Sequence, residues 1–307
     1  MSEKILWNRR AFVLGTGVSL LTAKERQPQV AITMDDFGWQ KVPEPWRNGA
    51  CDTLLGALSE HKLQAAAFIA GTRIDNPDGR KIVQRWRDAG HWIGNHTYSH
   101  QGVDSVDLKS FQSDVLRNER LLGPLLTQPK YFRFPMLKEG ATLRVRDGMR
   151  GFLRDHGYRN GAVTIDASDW YYSDRLTDRL AREPGFDWKR YREPYLKHIA
   201  NRALYYDGLG TELLDRKIRH TLLIHYNLVN VLFLPDTLKQ FKDMGWRLVD
   251  ASSAFADPIF QSAPNTLPAG ESLVWALAKE SGRYEKTLRY PGEDDVYEKP
   301  LLDSLKL

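Results

Sequence analysis

The stretch Val30-Ala31-Ile32-Thr33-Met34-Asp35-Asp36 decides how the rest of this 307-residue chain is read. A short run led by β-branched and apolar residues reads as a buried strand. Two adjacent carboxylates stand at its carboxyl end. Working outward, further short apolar runs occupy residues 65–69, 91–94, 131–134, 162–165, 221–224 and 246–249. Apolar residues at helical spacing fill the gaps at 51–61, 80–89, 108–122 and 142–156, and a helix from near Asp236 ends at 241–244. Strands alternating with helices of this length build a parallel sheet, so the fold class is α/β. Seven strands in this order fit a closed or nearly closed barrel better than an open sheet, and the pattern leaves that choice open.

In such architectures the chemistry gathers where strands end and loops begin. Asp35 and Asp36 follow the first strand, and His96 and His100 follow the third. Arg133 lies at the end of the fourth, Asp169 follows the fifth, and His225 follows the sixth. In His96-Thr97-Tyr98-Ser99-His100 two imidazoles stand four residues apart. On a helix they would share one face and one ion. Two His and one carboxylate make a usual catalytic zinc set with a position left open, and such an ion brings the pKa of its water to about 7. Taken singly, a His-x3-His pair is an ordinary surface feature. The Asp35-Asp36 pair supplies the missing carboxylate and a base within reach of a proton, and a cation relieves the repulsion between neighbouring carboxylates. Amide hydrolysis also needs an acid for the departing amine, and His225 is the natural candidate, with a hydrogen-bonded core histidine as the bland alternative. Asp169 could hold that imidazole in its productive tautomer. Arg133 could pair with Asp35 and keep it ionised.

Composition excludes several classes. Hydrophobic residues make up 42% and charged residues 27%, an ordinary globular mix without long-range disorder. The net charge of +5 is mild, and no Lys/Arg run interleaves with aromatics, so no nucleic-acid partner is expected. The single Cys51 rules out an intramolecular disulfide and reads as a buried, inert thiol.

Three segments are expected. Residues 1–23 place Arg9-Arg10 before a short apolar run, the layout of a twin-arginine-like export signal. Export would put the protein in the periplasm or outside the cell, with membrane contact only through an uncleaved signal. A cytoplasmic protein with an N-terminal helix is the alternative. Residues 24–250 form the main domain. Within it, 171–219 reads as a helical insertion with Tyr191, Tyr195, Ile199 and Ala203 four apart. That insertion either roofs the site or packs on the barrel wall. Residues 251–307 form a loop-like C-terminal extension packing on the barrel, with a short helix near 273–278 and a solvated acidic turn at Glu293, Asp294 and Asp295.

The segments Thr33-Met34-Asp35-Asp36, His96-Thr97-Tyr98-Ser99-His100, Arg133-Phe134-Pro135, Asp166-Ala167-Ser168-Asp169-Trp170 and Leu223-Ile224-His225 occur in the order of the five motifs of the polysaccharide deacetylases, and the sequence resembles that family over about residues 29–250. The resemblance implies a NodB homology domain, a distorted seven-stranded (β/α) barrel. It implies Asp35 as general base, Asp36, His96 and His100 as ligands of one divalent ion, and His225 as general acid. The ion implied is zinc, with cobalt, nickel or manganese also accepted by this ligand set. Arg133 and Asp169 would tune base and acid, Trp170 would line the acetyl pocket, and Met136, Phe134 and Tyr171 would contact substrate. Two departures stand out: Phe37 precedes Gly38 where the family has Gly, and Met136 replaces an aromatic. The backbone N–H of Met136 could still serve an oxyanion.

The expected function is removal of acetyl groups, nitrogen- or oxygen-linked, from an acetylated glycan containing N-acetylglucosamine, such as peptidoglycan, a chitin-like chain or an exopolysaccharide. An amidohydrolase acting on a small cyclic amide or imide, and an inactive glycan-binding module, are the alternatives.

Overall fold

A computed structural model describes residues 27–289 and 294–307. The expected export segment and Glu293 lie outside the described residues. Nine strands are named among them: β1 (Gln29–Asp36), β2 (Ala66–Ile69), β3 (Trp92–Asn95), β4 (Lys130–Phe132), β5 (Lys138–Gly140), β6 (Tyr158–Asn160), β7 (Arg219–His225), β8 (Arg247–Leu248) and β9 (Ala269–Gly270). The main sheet runs β6-β4-β3-β2-β1-β7, all parallel, with β8 also against β1. β1 is its hub, pairing with β7 over Gln29–Asp35 and with β2 over Thr33–Asp36. Its interior residues are buried on both faces, as expected of a strand covered by helices on one side and barrel core on the other.

The expected strand at 162–165 is replaced by something looser, because one segment must reach two edges. After β6, Gly161 N–H still donates to Phe132 on the β4 side (2.6 Å). Ile165 then makes a single parallel bridge to Leu222 of β7. A chain crossing that gap cannot keep a continuous ladder with both neighbours. Thr hydroxyls fill in: Thr164 N–H donates to Thr221 Oγ1 (3.2 Å), and Thr221 Oγ1 donates to the carbonyl of Ala162 (3.1 Å). The result is a distorted, barely closed α/β barrel.

The helices follow their caps and apolar stripes. Pro77–Asp88 starts at Asn76, whose side chain accepts from Gly79 N–H, and buries Val83 and Trp86 while its arginines face outward. Leu108–Leu122 begins at an Asp107 cap. Ala50–Glu60 buries Cys51 and Leu54, in keeping with an inert thiol. The helix expected near Asp236 begins instead at Leu228 and runs to Asp243 through Pro235. Its start is fixed by Asn227, whose side chain accepts from Asn230 N–H, and its apolar face decides helicity over one proline.

The 171–219 region forms two helices. Asp169–Arg182 is one, and Arg192–Leu214 the other. Tyr191, Tyr195, Ile199 and Ala203 are fully buried, and Tyr195 donates to Asn230 Oδ1 (2.7 Å), so the longer helix packs on Leu228–Asp243. The C-terminal extension is more ordered than its sequence implies. It contains the helices Ala251–Phe255, Leu273–Ser281 and Asp294–Ser304. Asp294, expected in a solvated turn, is buried at the start of the last one. The antiparallel pair β5 and β9 ties this extension to the loop after β4. Among the described residues no helix is long and apolar enough to cross a membrane.

Candidate active site

The carboxyl ends of β1, β3, β4 and β7 meet at one cavity of about 950 Å³. Its lining includes Asp35, Asp36, His96, His100, Met136, Trp170 and His225. At the end of β1 the backbone turns through two left-handed residues, Asp36 (φ 69°) and Phe37 (φ 60°). Phe37 thus takes a conformation that glycine adopts without strain. Its ring is fully buried, 4.9 Å from the Trp86 ring and 5.3 Å from that of Tyr226, and that burial offsets the backbone cost.

The segment from His96 to His100 is a turn rather than a helix. Thr97 (φ 63°) and His100 (φ 59°) are left-handed, and acceptors drawn from elsewhere satisfy the backbone. Asn95 Oδ1 accepts from Thr97 N–H (3.0 Å), and Thr97 Oγ1 accepts from His100 N–H (3.0 Å). Asp114 Oδ2 accepts from the N–H groups of Tyr98 (3.1 Å) and Ser99 (2.8 Å). Asn118 donates to Asn95 Oδ1 (2.9 Å) and to the carbonyl of Ile69 (2.7 Å), fixing the turn on the sheet. Local side-chain acceptors of this kind compete successfully with helix formation.

The turn still brings the two imidazoles together. His96 Nδ1 donates to the carbonyl of Arg133 (2.8 Å), which leaves Nε2 as a lone-pair donor facing the cavity. His96 Nε2 lies 3.2 Å from His100 Nε2 and 3.5 Å from Asp36 Oδ1, and His100 Nε2 lies 2.9 Å from Asp36 Oδ1. One ligand atom from each of Asp36, His96 and His100 falls within 4.8 Å of the others. Asp36 Oδ1 is buried without a well-aligned hydrogen bond. Burial opposes its charge, but the contacts of His100 and His96 and the charges of His100 and His225 prevail and hold the carboxyl well below the usual range. A carboxylate and two imidazoles crowded around an unsatisfied oxygen fit a divalent cation of the borderline kind.

Two further pairs flank this cluster. Arg133 Nη1 donates to Asp35 Oδ1 (2.6 Å) and to Thr33 Oγ1 (2.9 Å), and Nε donates to the carbonyl of Gly161 (2.7 Å). The guanidinium lies 3.9 Å from the Phe68 ring centre. Asp35 Oδ2 is left 3.7 Å from His96 Nε2, on the side of the Asp36-His96-His100 cluster. Across the cavity, Asp169 Oδ1 accepts from His225 Nδ1 (2.8 Å). Its Oδ2 accepts from His225 N–H (2.8 Å), Asn227 Nδ2 (2.8 Å) and Asn230 Nδ2 (2.7 Å). Burial alone would discharge His225, yet Asp169, joined by Asp36 and Asp35, outweighs it and pushes the imidazole up to about 10.

Trp170 (43% exposed) and Met136 (48% exposed) stand on the cavity wall. Two expected substrate contacts do not. Phe134 is buried, stacked 6.3 Å from Phe111 and edge-on 4.9 Å from Phe132, because the strand end turns it into the core. Tyr171 packs edge-on to Trp170 and towards Arg175, since adjacent helix positions point in different directions. The helix Asp169–Arg182 instead presents Ser173, Asp174, Thr177 and Asp178, so this half of the insertion walls the cavity. Lys41, Arg73, Lys138, Asp166 and Glu271 also line it. Glu271 comes from the extension, placed by β9, and is pushed up to about 7 by burial and the Asp166 charge, against Lys138. No motif in the sequence marks Arg73 or Glu271; only Asp166 sits inside a segment that already carried weight.

Fold and site together define an α/β-barrel protein whose cavity gathers a His-His-Asp cluster able to hold a cation, flanked by the Arg133–Asp35 and Asp169–His225 pairs. Residues 22–160 match the family described as polysaccharide deacetylase. Among its relatives, a peptidoglycan-N-acetylglucosamine deacetylase of Bacillus cereus is 27% identical over 175 residues, covering 55% of this chain and 56% of that protein. A chitin deacetylase of Colletotrichum lindemuthianum is 29% identical over 185 residues, covering 57% of this chain and 65% of that protein. The chain thus spans less than two thirds of either relative's length. A CE4 family pseudoenzyme from Bacillus anthracis shares the fold with a TM-score of 0.51 at 16% identity, covering 75% of this chain and 66% of that one.

Proposed function

We propose that this protein is a metal-dependent deacetylase that hydrolyses acetyl groups from an N-acetylglucosamine-containing polysaccharide. The observation that carries the reading is the convergence of Asp36, His96 and His100 in one cavity with the Arg133–Asp35 and Asp169–His225 pairs. One divalent ion, zinc by the chemistry of the donors, would supply Lewis acidity for the acetyl carbonyl and acidify water. Asp35, its other oxygen occupied by Arg133, takes the proton of the attacking water. The carbonyl carbon gains a C–O bond, and charge grows on its oxygen, where the backbone N–H of Met136 can donate. The C–N bond then breaks as His225 delivers its proton to the departing nitrogen, leaving acetate and a free amine. Asp169 keeps that imidazole oriented and charged until the transfer. Trp170 packs against the acetyl methyl. The Arg9-Arg10 segment supports action in the cell envelope.

The test is acetate release from chito-oligosaccharides and peptidoglycan by zinc-loaded protein, beside the Asp35→Asn variant. Wild type should release acetate and Asp35→Asn should lose 100-fold or more, on the order expected for a general base. Equal release by both would refute this mechanism. Glycan binding without acetate release in excess zinc would make the protein a binding module, and turnover confined to small cyclic amides would make it an amidohydrolase.

A further inference from the structure

Among the described residues, Arg73 is a cavity cation without an ion-pair partner. It belongs to the short helix Gly71–Ile74, whose first N–H groups, from Gly71 and Thr72, donate to the carbonyls of Thr97 (3.0 Å) and Tyr98 (2.8 Å). Its own carbonyl accepts from Trp39 Nε1 (3.2 Å) and Gln40 Nε2 (2.8 Å). The backbone of Arg73 is therefore clamped both to the histidine turn and to the segment just after the aspartates. The side chain lines the cavity, and its Nε is buried without a hydrogen-bond partner. Among the described residues the guanidinium makes no ion pair or hydrogen bond. The other cavity cations differ: Lys41 acts on Asp174, and Lys138 on Glu271. Leaving a buried guanidinium N–H unpaired is unfavourable, and the fork of donors it presents matches a planar carboxylate.

We propose that Arg73 is a specificity-determining residue that binds a carboxylate of the substrate, so that this cavity prefers an acetylated glycan bearing carboxylates over a neutral N-acetylglucosamine chain. The inference rests on the deacetylase reading and adds the substrate class to it. The carboxylate can come from a lactyl ether with its peptide, as in muramic acid, or from a uronic acid ring.

The experiment compares three oligosaccharides of similar length with zinc-loaded protein: neutral N-acetylglucosamine chains, muramic-acid-containing fragments, and alternating N-acetylglucosamine–uronate chains. The quantity read is kcat/KM on each carboxylated substrate divided by that on the neutral one. In Arg73→Gln this ratio should fall about 10- to 100-fold for the preferred carboxylated substrate, mainly through KM, as expected for a lost charged hydrogen bond. Which arm falls identifies the source. Arg73→Lys should recover part of the ratio, since an ammonium keeps charge without the fork. A ratio that moves less than threefold in Arg73→Gln overturns the proposal. Calorimetric binding of the same chains to zinc-loaded Asp35→Asn protein, with and without Arg73→Gln, separates the two readings. No acetate release by wild type defeats the deacetylase reading, whereas carboxylate-selective binding that survives Arg73→Gln defeats this one.

Discussion

Asp169→Asn tests the coupling between the buried carboxylate and the proposed acid. In the folded protein His225 is held at about 10, against an ordinary 6.5. That difference corresponds to about 5 kcal/mol favouring the imidazolium. The His225 side chain is only 19% exposed, so solvent screening removes little of it. Asp36 and Asp35 contribute to the shift, and a bound cation would cancel much of their share, leaving Asp169 as the persistent cause. Three donors converge on Asp169 Oδ2, so an asparagine would place its oxygen there and turn its amide towards His225 Nδ1. The imidazole would then face a donor in place of an acceptor, and burial would pull its pKa to 6.5 or below. At pH 8.5 a group titrating at 6.5 is about 1% protonated, so acetate release should fall at least about 100-fold there. It should recover towards wild type as the pH is lowered to 6. The same linkage governs stability. Because the folded pKa is raised, His225 contributes its full stabilisation below pH 6.5 and loses it as pH rises through about 10. The assays are a pH–rate profile of acetate release and an NMR titration of the His225 ring, which needs no turnover. An imidazole in Asp169→Asn that still titrates near 10, with an unmoved basic limb, would refute the reasoning.

Other outcomes follow from the same geometry. His96→Ala and His100→Ala should each weaken zinc binding at least 10-fold in competition titrations, since each would remove one of the three proposed protein ligands; undiminished affinity would place the ion elsewhere. Phe37→Gly relieves a left-handed backbone worth about 1 kcal/mol but empties a buried aromatic site worth about 3–5 kcal/mol, for a net loss of about 2–4 kcal/mol in denaturant unfolding. An unchanged or raised midpoint would contradict it. Asp114→Ala leaves the N–H groups of Tyr98 and Ser99 without their acceptor, so zinc affinity should drop several-fold although Asp114 is no ligand. Retained affinity would show that the turn holds itself.

The strands were legible because burial on both faces writes itself as β-branched runs, as in Val30–Met34. The polar residues at strand ends were legible for the same reason, each falling within a few residues of the end of an apolar run. Segment 162–165 was misjudged because its composition is strand-like while its position, spanning β4 to β7, denies it a ladder. The turn at 96–100 was open to a helical reading because Asn95, Thr97 and Asp114, the acceptors that displace helix hydrogen bonds, act partly from another element.

By itself the sequence determined an α/β fold and which residues could carry chemistry, since hydrophobic period and residue type are local properties. Only the tertiary structure decided that Phe134 and Tyr171 turn away from the cavity while Arg73, Asp174 and Glu271 enter it. Such choices depend on strand register, helix rotation and a small two-stranded sheet joining residues about 130 apart in the chain. These are cooperative packing outcomes, and no short window of residues encodes them.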